Sequence, residues 1–304
     1  MGFYCKLLSI VLCCVLVGSM KCFAQGDGNV VYRDYTRQEA ALLDSLKKEG
    51  VLPLFKGMRA LRQQAQGVKE STPVNIVPRR AGKREMTPEN IIKERRASVL
   101  TVNKYQGVTT RPDMVYGWAT AVVLTADGVC VTNFHVFWEL LDPAAKLNPA
   151  DSVIFVATED GRAYPITEIL SFNKAADMAF FKIDTRGDVL TSMPLGDDLP
   201  AGANVHLLSN PEGYPYAYTH GRVSRTIALN PGDPFSRRME MTADFAKGSS
   251  GGPIMDDRGN MVSMVSSIRA IYFSNQPPYH LQMNVKLTIP VSSLRRVIKS
   301  PKQK

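Results

Sequence analysis

From Ser98 onward, hydrophobic and polar residues alternate in short runs with a period of two rather than 3.6. Residues 99–102, 117–124, 128–132, 153–156 and 178–183 have the pattern of half-buried or fully buried strands, and 204–208, 221–224 and 261–265 continue the series. Asp-Gly and Pro-Gly pairs supply turns between them. Many short strands with few helical intervals predict an all-β barrel or sandwich. The stretch before Ser98 differs. Ala40, Leu43 and Leu46 share one helical face, Thr36 and Glu39 stand at capping-box spacing, and Gly50 suits a C-terminal stop. Phe55, Met58 and Leu61 predict a second short helix with Gly57 inside it. Pro73, Pro78, Gly82 and the basic run from Arg79 to Arg84 read as a linker. Thr87-Pro88 opens a helix that is expected to end near Ala97, and Ser292 is expected to cap a closing helix over 294–298.

Three regions follow: a leader over 1–24, a helical and linker extension over 25–86, and a β domain over 87–304. The leader rests on Lys6 followed by an apolar run over 7–17, then Cys22-Phe23-Ala24 with small residues at the two usual cleavage positions. Cleavage there would start the mature chain near Gln25 and export it to a periplasm or the medium. No other stretch is long and apolar enough for a span, so no stable membrane anchor is expected after cleavage. Of five cysteines only Cys130 lies beyond the leader, which excludes an internal disulfide in a mature monomer. Cys130 sits in an apolar run and reads as a small buried hydrophobe rather than a nucleophile.

The net charge of +9 is unevenly spread. Residues 25–96 carry 15 Lys/Arg against 9 Asp/Glu, whereas 97–304 carry 20 against 19. No aromatic interleaving accompanies the basic segment, so it reads as a solvated extension and not as a nucleic-acid surface. Trimming near Arg84 would make it a pro-segment, since an exposed basic linker is a good protease target. His206, His220 and His280 lack ligand spacing, and neither metal nor cofactor is expected.

Candidate chemistry centres on Gly248-Ser249-Ser250-Gly251-Gly252-Pro253. A serine hydroxyl attacks a carbonyl only with a neighbouring base and with donors for the oxyanion that forms. Glycines let the backbone turn tightly and aim N–H groups into a small concavity. Ser250 is then the nucleophile, with the N–H groups of Gly248 and Ser250 as the oxyanion hole. His135 ends one strand run and Asp177 opens another. An imidazole near neutral pKa takes the serine proton, and a carboxylate fixes its tautomer. Each residue alone is a weak signal; the order His, Asp, Ser on many short strands is the stronger one.

With these motifs in place, residues from Thr87 to Ile298 resemble the trypsin-like serine proteases, and within them the bacterial HtrA/Deg protease domain. The resemblance is carried by 117–124, 128–136, 177–184, Pro194-Leu195-Gly196-Asp197, Gly221-Arg222-Val223, 248–253 and Ile289-Pro290-Val291. It implies two six-stranded antiparallel β-barrels with a site between them and peptide or protein substrates. It also implies His135 as base, Asp177 as its orienter, Ser250 as nucleophile, Gly248 as oxyanion donor, and Ser266 as the strand serine beside the aspartate. Two departures bear on control. Ser249 replaces the aspartate that pairs with a newly cut amine in digestive enzymes, so cleavage near Arg84 should not switch the oxyanion hole. Only 54 residues follow Ser250, fewer than the roughly 90 that a peptide-binding PDZ domain needs. Asp244 stands six residues before Ser250, at the spacing of a carboxylate that receives Lys or Arg. Ile268 replaces a glycine and would narrow that pocket, which favours small or medium apolar residues. An esterase with the same triad, and a catalytically weak peptide-binding or chaperone-like module on the same fold, are the alternatives to an exported endopeptidase.

Overall fold

The structure is a computed structural model that describes residues 24–27, 30–107, 113–212 and 214–301. The leader, apart from Ala24, lies outside the described residues. A short hairpin, β1 (Ala24–Asp27) and β2 (Val30–Arg33), leads into α1 (Tyr35–Lys48). The cap of α1 is Asp34, whose carboxylate accepts the Arg37 N–H at 3.0 Å, and not Thr36 as the capping-box spacing predicts. Asp outranks Thr at this position and lies two residues earlier, so the helix gains two residues. Gly50 follows the helix at φ +64°, a conformation cheap only for glycine. In α2 (Met58–Ala65) Gly57 is the N-cap rather than an interior residue. Met58, Leu61 and Ala65 form its buried stripe.

The predicted linker is tied down. Val74 and Ile76 are buried, and β3 (Val74–Asn75) pairs in parallel with β16 (Ile298–Lys299) near the C-terminus. Asn260 both donates to the Gly82 carbonyl, at 3.0 Å, and accepts its N–H, at 2.6 Å. Single apolar residues between prolines leave no periodicity to read, which is why the sequence suggests a loose connector here. α3 (Pro88–Arg95) starts as expected, with Thr87 accepting from the Asn90 N–H.

Two closed six-stranded antiparallel barrels follow, as the resemblance implies. The first comprises β4 (Val99–Gln106), β5 (Met114–Val123), β6 (Val129–Thr132), β7 (Asp151–Ala157), β8 (Ala163–Asn173) and β9 (Met178–Ile183), closed in the order β4-β5-β6-β9-β8-β7. A short helix, α4 (Trp138–Leu141), lies between β6 and β7. The second comprises β10 (Asn204–Ser209), β11 (Ala217–Ala228), β12 (Arg237–Met241), β13 (Pro253–Met255), β14 (Met261–Tyr272) and β15 (Leu281–Pro290), closed as β10-β11-β12-β15-β14-β13. Closure leaves most ladder groups paired. The closing helix α5 (Val291–Val297) is capped at Pro290. Ser292 lies inside it and bonds Asp198 through both its N–H and its hydroxyl.

Packing joins the extension to the barrels. Met58, Leu61 and Ala65 share one apolar cluster with Leu100, Val102, Cys130 and Phe181 of the first barrel. Leu42, Leu46, Val51 and Phe55 cover Val153 and Phe155 on the barrel's outside. A third cluster runs from Val74, Ile76 and Ile91 through Val122 and Phe180 to Met264 and Leu294, so it bridges both barrels. Cys130, in the first of these clusters, is fully buried, and burial pushes its thiol up, out of reach of the thiolate state a cysteine nucleophile needs.

Candidate active site

Each of the three candidate side chains leaves the scaffold where a strand has just ended or is about to begin. His135 lies in a single 3-10 turn after β6, between Phe134, Val136 and Phe137, whose burial pins the turn. The imidazole itself remains about half exposed. Asp177 occupies the tight turn between β8 and β9 at φ +55°. Asp is one of the few non-glycine residues that tolerate that region, and local hydrogen bonds hold it there. Its N–H reaches the Lys174 carbonyl at 3.1 Å, and its carbonyl accepts Asn133 Nδ2 at 2.9 Å. Ser250 sits between Gly248 at φ +91° and Gly251 at φ +87°. A Cβ on Gly251 would stand 2.1 Å from the Thr120 carbonyl oxygen and one on Gly248 2.5 Å from that of Asn210. Both positions therefore require glycine twice over, for conformation and for close approach.

The folded chain brings the three together. His135 Nε2 lies 2.8 Å from Ser250 Oγ, and Nδ1 lies 3.0 Å from both oxygens of Asp177. Asp177 Oδ1 also accepts the His135 backbone N–H at 3.1 Å, while Oδ2 accepts Ser266 Oγ–H at 2.7 Å. With the carboxylate saturated on one side, Nδ1 is the protonated nitrogen and Nε2 the free base. The Ser266 hydroxyl meets the imidazole only by way of Asp177, which makes it a candidate positioning residue. Ser266→Ala should lower kcat about tenfold with KM little changed, the worth of one charge-assisted hydrogen bond. A steady-state comparison that finds the loss in KM instead would remove that role.

The candidate oxyanion donors, the N–H groups of Gly248 and Ser250, are oriented by contacts from β5 and from the loop after β10. The Lys247 carbonyl accepts the Glu212 N–H at 2.8 Å. Because a trans peptide points its C=O and N–H in opposite directions, this turns the Gly248 N–H toward the side away from Glu212. The Gly248 carbonyl accepts Thr120 Oγ–H at 2.9 Å, and the Ser250 carbonyl accepts the Thr120 N–H at 2.9 Å. Among the described residues nothing accepts the N–H groups of Gly248 and Ser250. Ser249 is fully buried, and its hydroxyl accepts from Ser209 at 3.1 Å. Thr120, Glu212, Asn133 and Ser209 were not legible as site residues. Each looks in the sequence like an ordinary strand or loop residue, and only the approach of distant segments gives it a part.

Beside Ser250 opens a pocket of about 230 Å³ lined by Phe245, Ala246, Lys247, Val265, Ser266, Ser267 and Ile268. Asp244 is not in its lining. Its carboxylate is 83% exposed and forms an ion pair with Lys286, whose ammonium is nearly buried. Asp244 therefore places no free carboxylate at a pocket floor. Ile268, 41% exposed, stands at the rim. Elsewhere His206 is buried, bonded to Tyr218 Oη and Asp257 Oδ1 at 2.9 Å each. Burial would raise the Asp257 carboxyl, but the hydrogen bonds from His206 and Asn204 outweigh it and hold it low. No group of three or more His, Cys, Asp or Glu is placed to hold a metal ion among the described residues.

Comparison with known proteins agrees with the fold. Residues 119–264 match the family model of a trypsin-like peptidase domain. "Protease Do-like 5, chloroplastic" of Arabidopsis thaliana is 28% identical over 189 residues, covering 60% of this chain and 57% of that protein. "Putative serine protease HhoA" of Synechocystis is 28% identical over 169 residues, covering 54% and 40%. A "probable periplasmic serine endoprotease DegP-like" of Marinomonas is 29% identical over 146 residues, covering 48% and 29%. The matched regions thus make up less than two thirds of each relative's length. Among solved structures, "HtrA-type protease AlgW with decapeptide" superposes with a TM-score of 0.52 at 21% identity, covering 70% of this chain and 69% of that one. Deg5 superposes with a TM-score of 0.51 at 21% identity, covering 68% and 90%. At such identities the superpositions speak for the fold.

Proposed function

From a chain that carries a trypsin-like peptidase domain and is related to the HtrA/Deg serine proteases, we propose an exported serine endopeptidase working through His135, Asp177 and Ser250. The observation that carries this reading is the continuous contact from Ser250 Oγ through the imidazole to Asp177, at 2.8 and 3.0 Å. Ser250 Oγ attacks the scissile carbonyl carbon while His135 Nε2 takes the hydroxyl proton. The carbonyl oxygen becomes an oxyanion and is met by the N–H groups of Gly248 and Ser250. Asp177 stabilises the imidazolium without taking its proton. When the tetrahedral adduct collapses, Nε2–H protonates the departing amine and the acyl group stays on Ser250. Water, deprotonated by Nε2, then attacks the ester, and the returning proton restores Ser250.

The acyl-side residue of the substrate enters the pocket beside Ser250, and its preceding residues run along β14 at Ser266, Ser267 and Ile268. With Asp244 neutralised by Lys286, a small or medium apolar side chain fits the pocket better than a cation. The catalytically weak alternative requires a collapsed oxyanion loop. The Glu212 bond to the Lys247 carbonyl favours the open, donating orientation. The leader over 1–24, together with relatives named as periplasmic, supports export. A fluorophosphonate probe should label the wild-type protein, and Ser250→Ala should abolish the label. Labelling that survives the substitution would refute the nucleophile.

A further inference from the structure

β14 and β15 run on well past the barrel they belong to. β14 pairs with β13 only through Met264, Ser263 and Met261, and β15 pairs with β12 only through Thr288, Leu287 and Lys286. Beyond those contacts the two strands pair with each other alone, from Arg269 opposite Val285 to Tyr272 opposite Leu281. The result is a two-stranded ribbon projecting from the pocket rim. Such a ribbon in water has little hydrophobic support of its own. Yet Ile271, Tyr272, Phe273, Tyr279, Leu281 and Met283 are all exposed on it, with Tyr272 and Tyr279 in ring contact at 5.8 Å between centroids. After Val265, which bonds Gly251 and Gly252, no described segment pairs with the outer edge of β14. An unpaired strand edge is a template for another extended chain.

We infer that this edge extends the substrate site, so that the enzyme binds about seven residues on the acyl side of the scissile bond as an added antiparallel strand. The inference rests on the proposed endopeptidase reading. Continuity fixes the occupant: Ile268 lines the pocket beside Ser250 and belongs to the same strand. A chain with its first acyl-side residue alongside Ser266 continues, antiparallel, toward Tyr272. Six steps at about 3.3 Å each carry it about 20 Å, the length of the ribbon edge. Side chains alternate, so Ile268, Ala270 and Tyr272 share one face and Arg269 and Ile271 the other. Ala270 leaves a dip between two larger neighbours. The fifth and seventh residues before the scissile bond meet Ala270 and Tyr272, and apolar side chains suit both. The fourth meets Arg269, which has no ion pair among the described residues and selects an acidic side chain there.

Peptide binding to full-length Ser250→Ala protein, read by fluorescence anisotropy, tests this apart from turnover. Two labelled peptides share the scissile region. One ends three residues before the bond; the other extends to eight, with Glu fourth and Leu fifth and seventh. The longer peptide should bind at least tenfold more tightly. Adding Tyr272→Ser should shrink that ratio to about twofold, and adding Arg269→Glu should reverse a preference for Glu over Lys at the fourth residue. Equal affinities for the two peptides would overturn the inference, as would a dimer in sedimentation that Tyr272→Ser dissociates. Failure of the proteolytic reading would show separately, as absence of fluorophosphonate labelling in wild type.

Discussion

Asp177→Asn should lower kcat by about four orders of magnitude while leaving the fold and substrate binding nearly intact. The carboxylate only accepts hydrogen bonds, and it has three donors to satisfy. Oδ1 faces both the backbone N–H and Nδ1 of His135, and Oδ2 faces the Ser266 hydroxyl. An amide must place its NH₂ at one of these. Set toward His135, it meets two donors and drives the imidazole to the tautomer protonated on Nε2. That nitrogen then has no lone pair for the Ser250 proton. Set toward Ser266, the NH₂ can use the hydroxyl as acceptor, but the imidazolium loses its countercharge. Either placement removes a contribution made only as charge develops, so kcat falls and KM does not. Stopped assays with a peptide ester should read the loss, and a kcat within tenfold of wild type would contradict the assigned role.

Leu61→Ala, far from the triad, should cost about 2–5 kcal/mol of stability, and removal of residues 1–76 should prevent folding. Leu61 is fully buried, and with Met58 and Ala65 it fills the first barrel's cluster. Leu42, Leu46, Val51, Phe55, Val74 and Ile76 are buried as well. Each large apolar side chain removed from water is worth about 1.5–3 kcal/mol. Losing them together approaches the whole stability of an ordinary domain, about 5–15 kcal/mol. Urea titration of Leu61→Ala and expression of the truncated chain check both statements. A truncated chain with an unchanged unfolding midpoint would mean that the extension is a dispensable pro-segment. Cutting at Arg84 is a different matter. The cut lies in an exposed stretch between Gly82, held by Asn260, and Met86, whose N–H bonds the Asp257 carbonyl. The two pieces should therefore stay associated after the cut.

The short, nearly continuous apolar run Met178–Ile183 was legible to the residue. Those that were missed have physical reasons. β8 is broken by Pro165 and interrupted by register shifts near Glu168 and Ser171, so its pattern never holds long enough to read. β12 carries Arg237, Arg238 and Glu240. Glu240 pairs with Arg225 and Arg238 donates to the Ala175 carbonyl, partners that no local window contains. β15 leaves the barrel halfway and is polar and apolar on both faces.

Local sequence determined what depends on single residues and their near neighbours. This covers the period-two strands, the Thr87-Pro88 helix start, and the glycines that let the chain turn around Ser250. It also nominated His135, Asp177 and Ser250, because few side-chain types can serve as base, orienter and nucleophile. Tertiary structure alone decided what depends on segments far apart in the chain. It set Thr120 and Glu212 against the loop around Gly248, paired Asp244 with Lys286, and packed the residues before Thr87 into the barrels. Those outcomes rest on distances between surfaces. Such distances arise only when burial of the apolar clusters has fixed where each strand lies.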